Sequence, residues 1–267
     1  MSVLGATGWT FLVTAGLLLL WSIVIAARPA RAEDETTGFM CQALAYLLGL
    51  FGILRLHGPD ISIREFVGMR RTSWWFLPIG LALGVVASVG ADIAYTAITH
   101  RFPVDDGPAL VDIFRATRAG GRVLIAVEIA VAGPLIEELI FRGALFRPLR
   151  RTVAPLVTVV VTAVLFTLTH LFWQKFGPIL VVGVCLGLVR TWSGSLFASW
   201  ALHAAFNAAG VISAFVELQR GAALEVPEAN KIPAAVVCVV VAVGLMALAR
   251  LVGTRSSLAA DARTKDE

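Results

Sequence analysis

The run LIEELIFRG, residues 135–143, is the part of the sequence that decides the fold. It lies inside the apolar segment Val123–Phe146, which is long enough to cross the roughly 30 Å hydrocarbon core of a bilayer as a helix. Glu137, Glu138 and Arg142 would then lie at membrane depth, where an unpartnered ionisable residue costs several kcal/mol. Other spanning helices must surround this segment and shield its charges, which predicts a polytopic helical bundle.

The composition of the whole chain agrees with a membrane protein. Of the 267 residues, 58% are apolar and 15% are charged, whereas a soluble domain carries about 25% charged residues. We expect an all-α transmembrane bundle that forms one membrane domain with about eight spanning helices. The predicted spans are Thr7–Ala27, Gly38–Leu54, Trp75–Thr99, Val123–Phe146, Thr152–Trp173, Phe176–Trp192, Ser195–Val216 and Ile232–Val252.

The Lys and Arg residues lie mostly in the short connections between these spans. The net charge of +4 therefore reflects membrane topology, and we expect no nucleic-acid partner. With eight spans, twelve of these residues fall on the side of both termini and nine on the other, which favours cytoplasmic termini. No Lys or Arg precedes the first span, so we expect an uncleaved helix. The expected localisation is multi-pass in a bacterial plasma membrane.

Two further patterns predict how the bundle is assembled. The pairs Gly80/Gly84 and Gly183/Gly187 have the small-xxx-small spacing that lets helix backbones approach closely. The longest connection, His100–Arg122, places Leu110, Ile113 and Phe114 on one helical face. This pattern predicts a short interfacial helix, which is either a spacer or a gate beside a site between helices.

The carboxylates of the fourth predicted span differ in their surroundings. Glu138 and Arg142 are four residues apart, on one face and in the order that favours an ion pair. Glu137 points about 100° away and has no cation three or four residues from it in the same helix. Glu137 therefore needs a partner from another span, and a carboxylate held in this way can act as a general base.

Histidines occur in two other predicted spans. The fifth span contains FTLTH, residues 166–170, and the seventh contains HAAFN, residues 203–207. His203 and Asn207 share a helical face, so both can project into one cavity, which His170 can reach from the adjoining span.

These residues allow three interpretations. Glu137, His170, His203 and Asn207 could activate a water molecule. Alternatively, Glu137, His170 and His203 could bind a divalent metal such as zinc and leave one position open for water. An intramembrane His or Asn can also simply form hydrogen bonds between helices. The concentration of such residues in three motifs favours chemistry over packing.

The chain resembles the CPBP family of intramembrane proteases, which includes the type II CAAX prenyl endopeptidases and the bacterial Abi and bacteriocin-processing proteins. The motifs that carry the resemblance are Glu-Glu-x-x-x-Arg at 137–142, Phe-x-x-x-His at 166–170 and His-x-x-x-Asn at 203–207. The successive apolar segments that contain these motifs cover residues 123–216, which would form the catalytic core. Residues 1–122 would contribute N-terminal helices and the interfacial segment, and residues 217–267 the last helix and a polar tail.

The resemblance implies a role for each motif residue. Glu137 and His170 would activate the attacking water, while His203 and Asn207 would stabilise the oxyanion or bind a metal. Glu138 and Arg142 would support the site. The resemblance leaves open whether such an enzyme depends on glutamate alone or on a metal.

The predicted function is an intramembrane endopeptidase that hydrolyses a peptide bond of a membrane-associated, CAAX-type or lipid-anchored substrate. Its predicted partners are membrane lipid and that peptide or protein. The alternative is a non-catalytic binding or immunity protein that uses the same cavity. A transporter would require an internal repeat or paired broken helices, for which the sequence has no convincing pattern.

One feature of the predicted spans conflicts with a shared site. Helical rise places Glu137 and His203 about 12–14 Å from one membrane face and His170 about 27 Å from it. Convergence therefore requires a fifth helix that begins after Thr152, or a kink at Gly133-Pro134. Asp92 and Glu128 belong to no motif, and we expect them to take part in packing or in a cavity wall.

Overall fold

The computed structural model describes residues 1–31, 34–104, 108–222 and 226–263, with side chains up to residue 256. These residues form helices, turns and loops, with no strand among them, which confirms the predicted all-α bundle. The helices are α1 Val3–Ala27, α2 Glu35–His57, α3 Ile63–Val67, α4 Phe76–Arg101, α5 Leu110–Ala116, α6 Ala119–Val127, α7 Gly133–Glu138, α8 Phe146–Arg150, α9 Pro155–Leu168, α10 Phe176–Ser193, α11 Leu196–Arg220 and α12 Glu228–Arg263.

Within the described residues, six helices are long and apolar enough to cross a membrane. They are α1, α2, α4, α10 with the turn before it, α11 and residues Glu228–Ser256 of α12. In α1 and α12, only 11% and 6% of the most apolar window is buried in the protein. Such helices are apolar on all sides, as expected where lipid replaces solvent. The protein is thus an integral, multi-pass membrane protein.

The other two predicted spans differ from the expected uninterrupted helices. The predicted span Thr152–Trp173 contains the shorter α9, which has 14 residues. The predicted span Val123–Phe146 is divided among α6, α7 and α8 by two π-helical segments, Glu128–Ala132 and Leu139–Ala144. The count of eight spans therefore stays a prediction. Because α9 begins at Pro155 and not at Thr152, His170 lies about 4.5 Å closer to the membrane face than the predicted span implied. This shift brings its depth closer to that of Glu137 and His203.

The first π segment has a clear cause in the sequence. Pro134 has no backbone N–H, so it cannot continue the helical hydrogen-bond ladder. The N–H of Gly133 bonds the carbonyl of Glu128, five residues earlier, and the carbonyls of Ile129 and Val131 accept side-chain hydrogen bonds from α11. The helix therefore widens where α11 packs against it. π-bulges of this kind frequently occur at functional sites.

Both glycine pairs mediate close helix contacts, as predicted. A Cβ atom on Gly84 would lie 2.3 Å from the carbonyl oxygen of Leu202, so α4 and α11 approach backbone to backbone. A Cβ on Gly183 would lie 3.2 Å from the Cα of Ala163, which brings α10 against α9. These contacts hold the two histidine-bearing parts of the chain against the bundle core.

The predicted short helix in the 100–122 connection is present as α5. Phe114 is fully buried and its ring centroid lies 4.5 Å from that of Phe215 in α11. The side chain of Arg122 closes the end of the helix by donating to the carbonyls of Phe114 and Thr117. The segment is therefore anchored to α11 through its apolar face.

The connections define two ends of the bundle. The N-terminal amine of Met1 donates to the carbonyl of Pro148 at 3.2 Å, and Arg147 pairs with Glu65 at 3.0 Å. We call the end that holds these contacts the N-terminal face. Because α1 crosses the bundle once, the beginning of α2 lies at the other end, which we call the opposite face.

Candidate active site

A fully buried ion pair forms the base of the site. Arg142 Nη1 donates to Glu138 Oε1 at 2.9 Å, and both side chains have no exposed surface. Arg142 Nη2 donates to the carbonyl of Gly183, and its guanidinium lies 4.6 Å from the centroid of Phe166. The i,i+4 spacing thus produces the expected pair, and α10 completes its partners.

His203 connects this pair to the neighbouring glutamate. Its Nδ1 lies 3.2 Å from Glu138 Oε1, and its Nε2 lies 3.6 Å from Glu137 Oε2. The residue is 3% exposed. Since Glu138 is held by Arg142, Nδ1 is the nitrogen that donates to the carboxylate, and Nε2 is directed at Glu137.

Glu137 differs from Glu138 in being accessible. Its side chain is 17% exposed, whereas that of Glu138 is wholly buried. Gln42 Nε2 donates to Glu137 Oε1 at 2.8 Å, and the buried Tyr46 lies within electrostatic reach of the same carboxylate. Gln42 therefore orients one oxygen of Glu137 and leaves Oε2 to face His203.

His170 follows the end of α9 rather than lying within the helix. Its Nδ1–H donates to the carbonyl of Phe166 at 3.0 Å, which leaves Nε2 as an acceptor. Leu171 has φ of 61°, a left-handed conformation that is costly for a residue with a branched side chain. His170 lies within electrostatic reach of Glu137 and His203, so the structure brings the three motifs to one region.

Phe166 is the residue against which the motifs pack. Its ring centroid lies 4.8 Å from that of His170 and 5.5 Å from that of His203, both in edge-to-face geometry. Arg142 covers the ring at 4.6 Å. The phenylalanine of the Phe-x-x-x-His motif thus sets the spacing among the polar groups and excludes water behind them.

Asn207 lies one helical turn beyond His203 and reaches the first π segment. Its Nδ2 donates to the carbonyl of Ile129 at 2.9 Å, and a second N–H remains on the amide. Asn207 and Glu137 both line a cavity of about 270 Å³. Glu35 and Gly38 at the start of α2 also line it, so the cavity extends to the opposite face, and we take the end at the exposed Glu35 as its entrance.

Gln42 was not identified from the sequence, whereas Glu128 and Asp92 were named there outside the motifs. Gln42 comes from α2, and only its polarity within an apolar helix distinguishes it. Glu128 lines the cavity of Glu137. Asp92 lines a separate cavity of about 240 Å³ with Lys175 and Phe206. Both acidic residues therefore lie in cavity walls, one of the two roles expected for them.

The same residues can be tested for their fit to a metal. Both histidines bond through Nδ1 to a carboxylate or a carbonyl, which is the arrangement that orients Nε2 of metal-binding histidines. In the described parts of the chain, however, no three His, Cys, Asp or Glu residues are grouped closely enough to hold one ion.

Fold and site together define a polytopic membrane protein with ionisable residues gathered inside its bundle. Residues 119–209 match the family model described as type II CAAX prenyl endopeptidase Rce1-like. This region contains all three motifs and confirms the resemblance to the CPBP family of CAAX-type proteases. No curated protein and no solved structure gives a significant match. The match to this family model supports the general function of an intramembrane CAAX-type endopeptidase.

Proposed function

We propose that the protein hydrolyses a peptide bond of a membrane-associated, CAAX-type or other lipid-anchored substrate, using a water molecule that Glu137 and His170 activate. The observation that carries the proposal is the arrangement of Glu137. One of its oxygens is held by Gln42, the other faces His203 at 3.6 Å, and its side chain borders a cavity. A base needs this combination of fixed orientation and access.

His203 supplies a donor in the proposed reaction. Glu137, Glu138, Arg142 and His203 form one contiguous group. In the reacting state His203 carries a proton on each ring nitrogen, so that Nδ1–H donates to Glu138 and Nε2–H is a donor directed toward the place where Glu137 acts.

In the proposed reaction the water lies between two acceptors. Glu137 Oε2 accepts one of its protons, and Nε2 of His170 accepts a hydrogen bond from the other. As the water oxygen bonds to the substrate carbonyl carbon, its proton moves to Glu137. The C–N bond then breaks, and Glu137 passes the proton to the leaving nitrogen. The products are a carboxylic acid and an amine, and Glu137 is again ionised.

The developing oxyanion requires hydrogen-bond donors. Nε2–H of His203 is one, and the N–H of Asn207 that does not bond Ile129 is the second. Removing one oxyanion donor commonly costs about 10²–10³-fold in kcat. Glu138 and Arg142 contact no substrate in this scheme; they orient His203 and balance its charge.

A membrane-proteome experiment tests the proposal. Cells that produce the wild-type protein would be compared with cells that produce Glu137→Gln, and new peptide termini in the membrane fraction would be identified by mass spectrometry. Glu65→Gln is the matched control, because Glu65 is an exposed carboxylate at the N-terminal face. We expect termini that appear with wild type and Glu65→Gln and disappear with Glu137→Gln. Identical termini in all three would favour the non-catalytic binding protein.

A further inference from the structure

The cavity beside Glu137 has an acidic wall that the proposed reaction does not use. Glu35 and Glu128 line it together with Glu137, and the described lining contains no Lys, Arg or His. At about 270 Å³, the cavity has the volume of about nine water molecules. This is room for one long side chain of a bound peptide.

Glu128 has an incomplete set of partners. It is only 7% exposed, and Thr36 donates to its Oε2 at 3.1 Å. Among the described residues, its Oε1 has no hydrogen-bond donor and no Lys or Arg lies within salt-bridge distance. A carboxylate buried to this extent without a cation is unfavourable. Glu128 is the first residue of a π segment and lines the cavity, so a cation in the cavity would lie close to its carboxylate.

Glu35 adds a second carboxylate at the entrance. It is exposed, is the first residue of α2, and lies within electrostatic reach of Glu128. The neighbouring Arg31 does not neutralise these groups, because it is paired with Asp34 at 2.8 Å. A cation that entered the cavity would relieve the repulsion between Glu35 and Glu128.

We infer that Glu35 and Glu128 form a subsite that accepts a Lys or Arg side chain of the peptide substrate. This inference rests on the proposed function and names a feature of its substrates. A long cationic side chain suits the site better than a metal ion, because no three acidic or His residues in the described chain converge on one point. Glu35 attracts the side chain at the entrance, and Glu128 binds its charged end.

The distance along the segment indicates which substrate position is recognised. Glu128 precedes Glu137 by nine residues, for which a regular α-helix would rise about 13 Å; the π segment at Glu128–Ala132 makes this an upper limit. An extended peptide covers that length in about four residues, at roughly 3.3 Å each. The basic residue is therefore expected within about four residues of the scissile bond.

Cleavage of a peptide set tests the subsite. Each position within four residues of the scissile bond would be Lys, Gln or Glu, and kcat/KM would be measured with the protein in proteoliposomes. Wild type is expected to prefer Lys over Gln at one position by about tenfold or more, because a buried carboxylate is weakly screened. Glu128→Gln should reduce this ratio to near one, and Glu35→Gln should reduce it less.

Asp112→Asn is the control, since Asp112 is an exposed carboxylate paired with Arg115 outside the cavity. It should keep the wild-type ratio. Glu128→Gln retains an oxygen that can accept the hydrogen bond of Thr36, so the protein is expected to fold. No preference for Lys in wild type, or a preference that survives Glu128→Gln, would overturn the inference.

A binding measurement separates this result from the proposed catalysis. In the His170→Ala variant, which retains both carboxylates, fluorescent peptides with Lys or Gln at the selected position would be titrated. Tighter binding of the Lys peptide, lost on adding Glu128→Gln, supports the subsite even if no peptide is cleaved. Equal binding of both peptides, alongside normal cleavage by wild type, rejects the subsite and leaves the proposed function standing.

Discussion

The side-chain amide of Asn207 donates a hydrogen bond to the backbone carbonyl of Ile129, with Nδ2 2.9 Å from the oxygen. That carbonyl is available because Gly133 bonds Glu128 instead, and because the next residue, Pro134, has no N–H. Pro134 thus leaves the carbonyl of Ile129 without a backbone donor, and Asn207 of another motif-bearing segment supplies the missing hydrogen bond. This contact holds α11 in the register that directs His203 at Glu137.

The first prediction concerns this contact. Asn207→Ala should lower the free energy of unfolding by about 1 kcal/mol, because Ile129 loses the donor for its partly buried carbonyl. Pro134→Ala restores a backbone N–H, so the double variant should lose less than the sum of the single variants. Reversible unfolding in detergent would measure the four proteins of the cycle. Strict additivity would show that Pro134 and Asn207 are independent.

The second prediction concerns the buried ion pair. Glu138→Gln and Arg142→Ala should each lower the free energy of unfolding by about 3–5 kcal/mol, because each leaves a buried charge without its partner. The double variant should lose less than the sum. The exposed pair Glu65 and Arg147, at 3.0 Å, provides the control, and its loss should cost about 1 kcal/mol or less. Equal costs for the two pairs would contradict the role of burial.

The third prediction separates chemistry from stability. Glu137→Ala and His170→Ala should each reduce kcat by about 10²–10⁴-fold, because the water loses its base or its second acceptor. Neither side chain is part of the Glu138–Arg142 pair, so both variants should insert and unfold much like wild type. Cleavage of a validated substrate by purified, folded protein is the measurement. Near wild-type turnover by either variant would refute the assigned role.

The fourth prediction tests the close contact between α4 and α11. Gly84→Ala should destabilise the protein by about 1–3 kcal/mol, since the new Cβ would lie 2.3 Å from the backbone oxygen of Leu202. Gly16→Ala is the matched control, because no atom lies within 4 Å of the position its Cβ would take. Thermal unfolding of both variants would be compared. We expect Gly84→Ala also to slow cleavage, since the contact positions the helix of His203.

The fifth prediction addresses the metal. We propose a reaction without one, so purified active protein should retain its turnover after treatment with a chelator. Elemental analysis should find much less than one zinc or other divalent metal ion per protein molecule. A metal bound in a ratio of about one, with activity lost on its removal and restored on its return, would establish a metal-dependent reaction instead.

The sequence alone determined features that depend on the length or the helical periodicity of one segment. Apolar length predicted the six described helices that are long enough to cross a membrane, and i,i+4 spacing predicted the contact between Glu138 and Arg142. Small-residue spacing identified the close approach at Gly84. These relationships are local, because residues on one face of a helix stay neighbours wherever that helix packs. The sequence alone did not determine the exact ends of the helices or the number of spans.

The tertiary structure decided which helices meet and how the backbone departs from a regular helix. Gln42 reaches Glu137 from 95 residues away in sequence, a pairing that no periodicity within either helix encodes. The π segment at Glu128–Ala132 depends both on Pro134 and on the side chains of α11 that take up the freed carbonyls. The cavity, and with it the neighbourhood of Glu35 and Glu128, exists only where these separate segments pack together, because its walls belong to different helices whose contacts are set by the whole bundle.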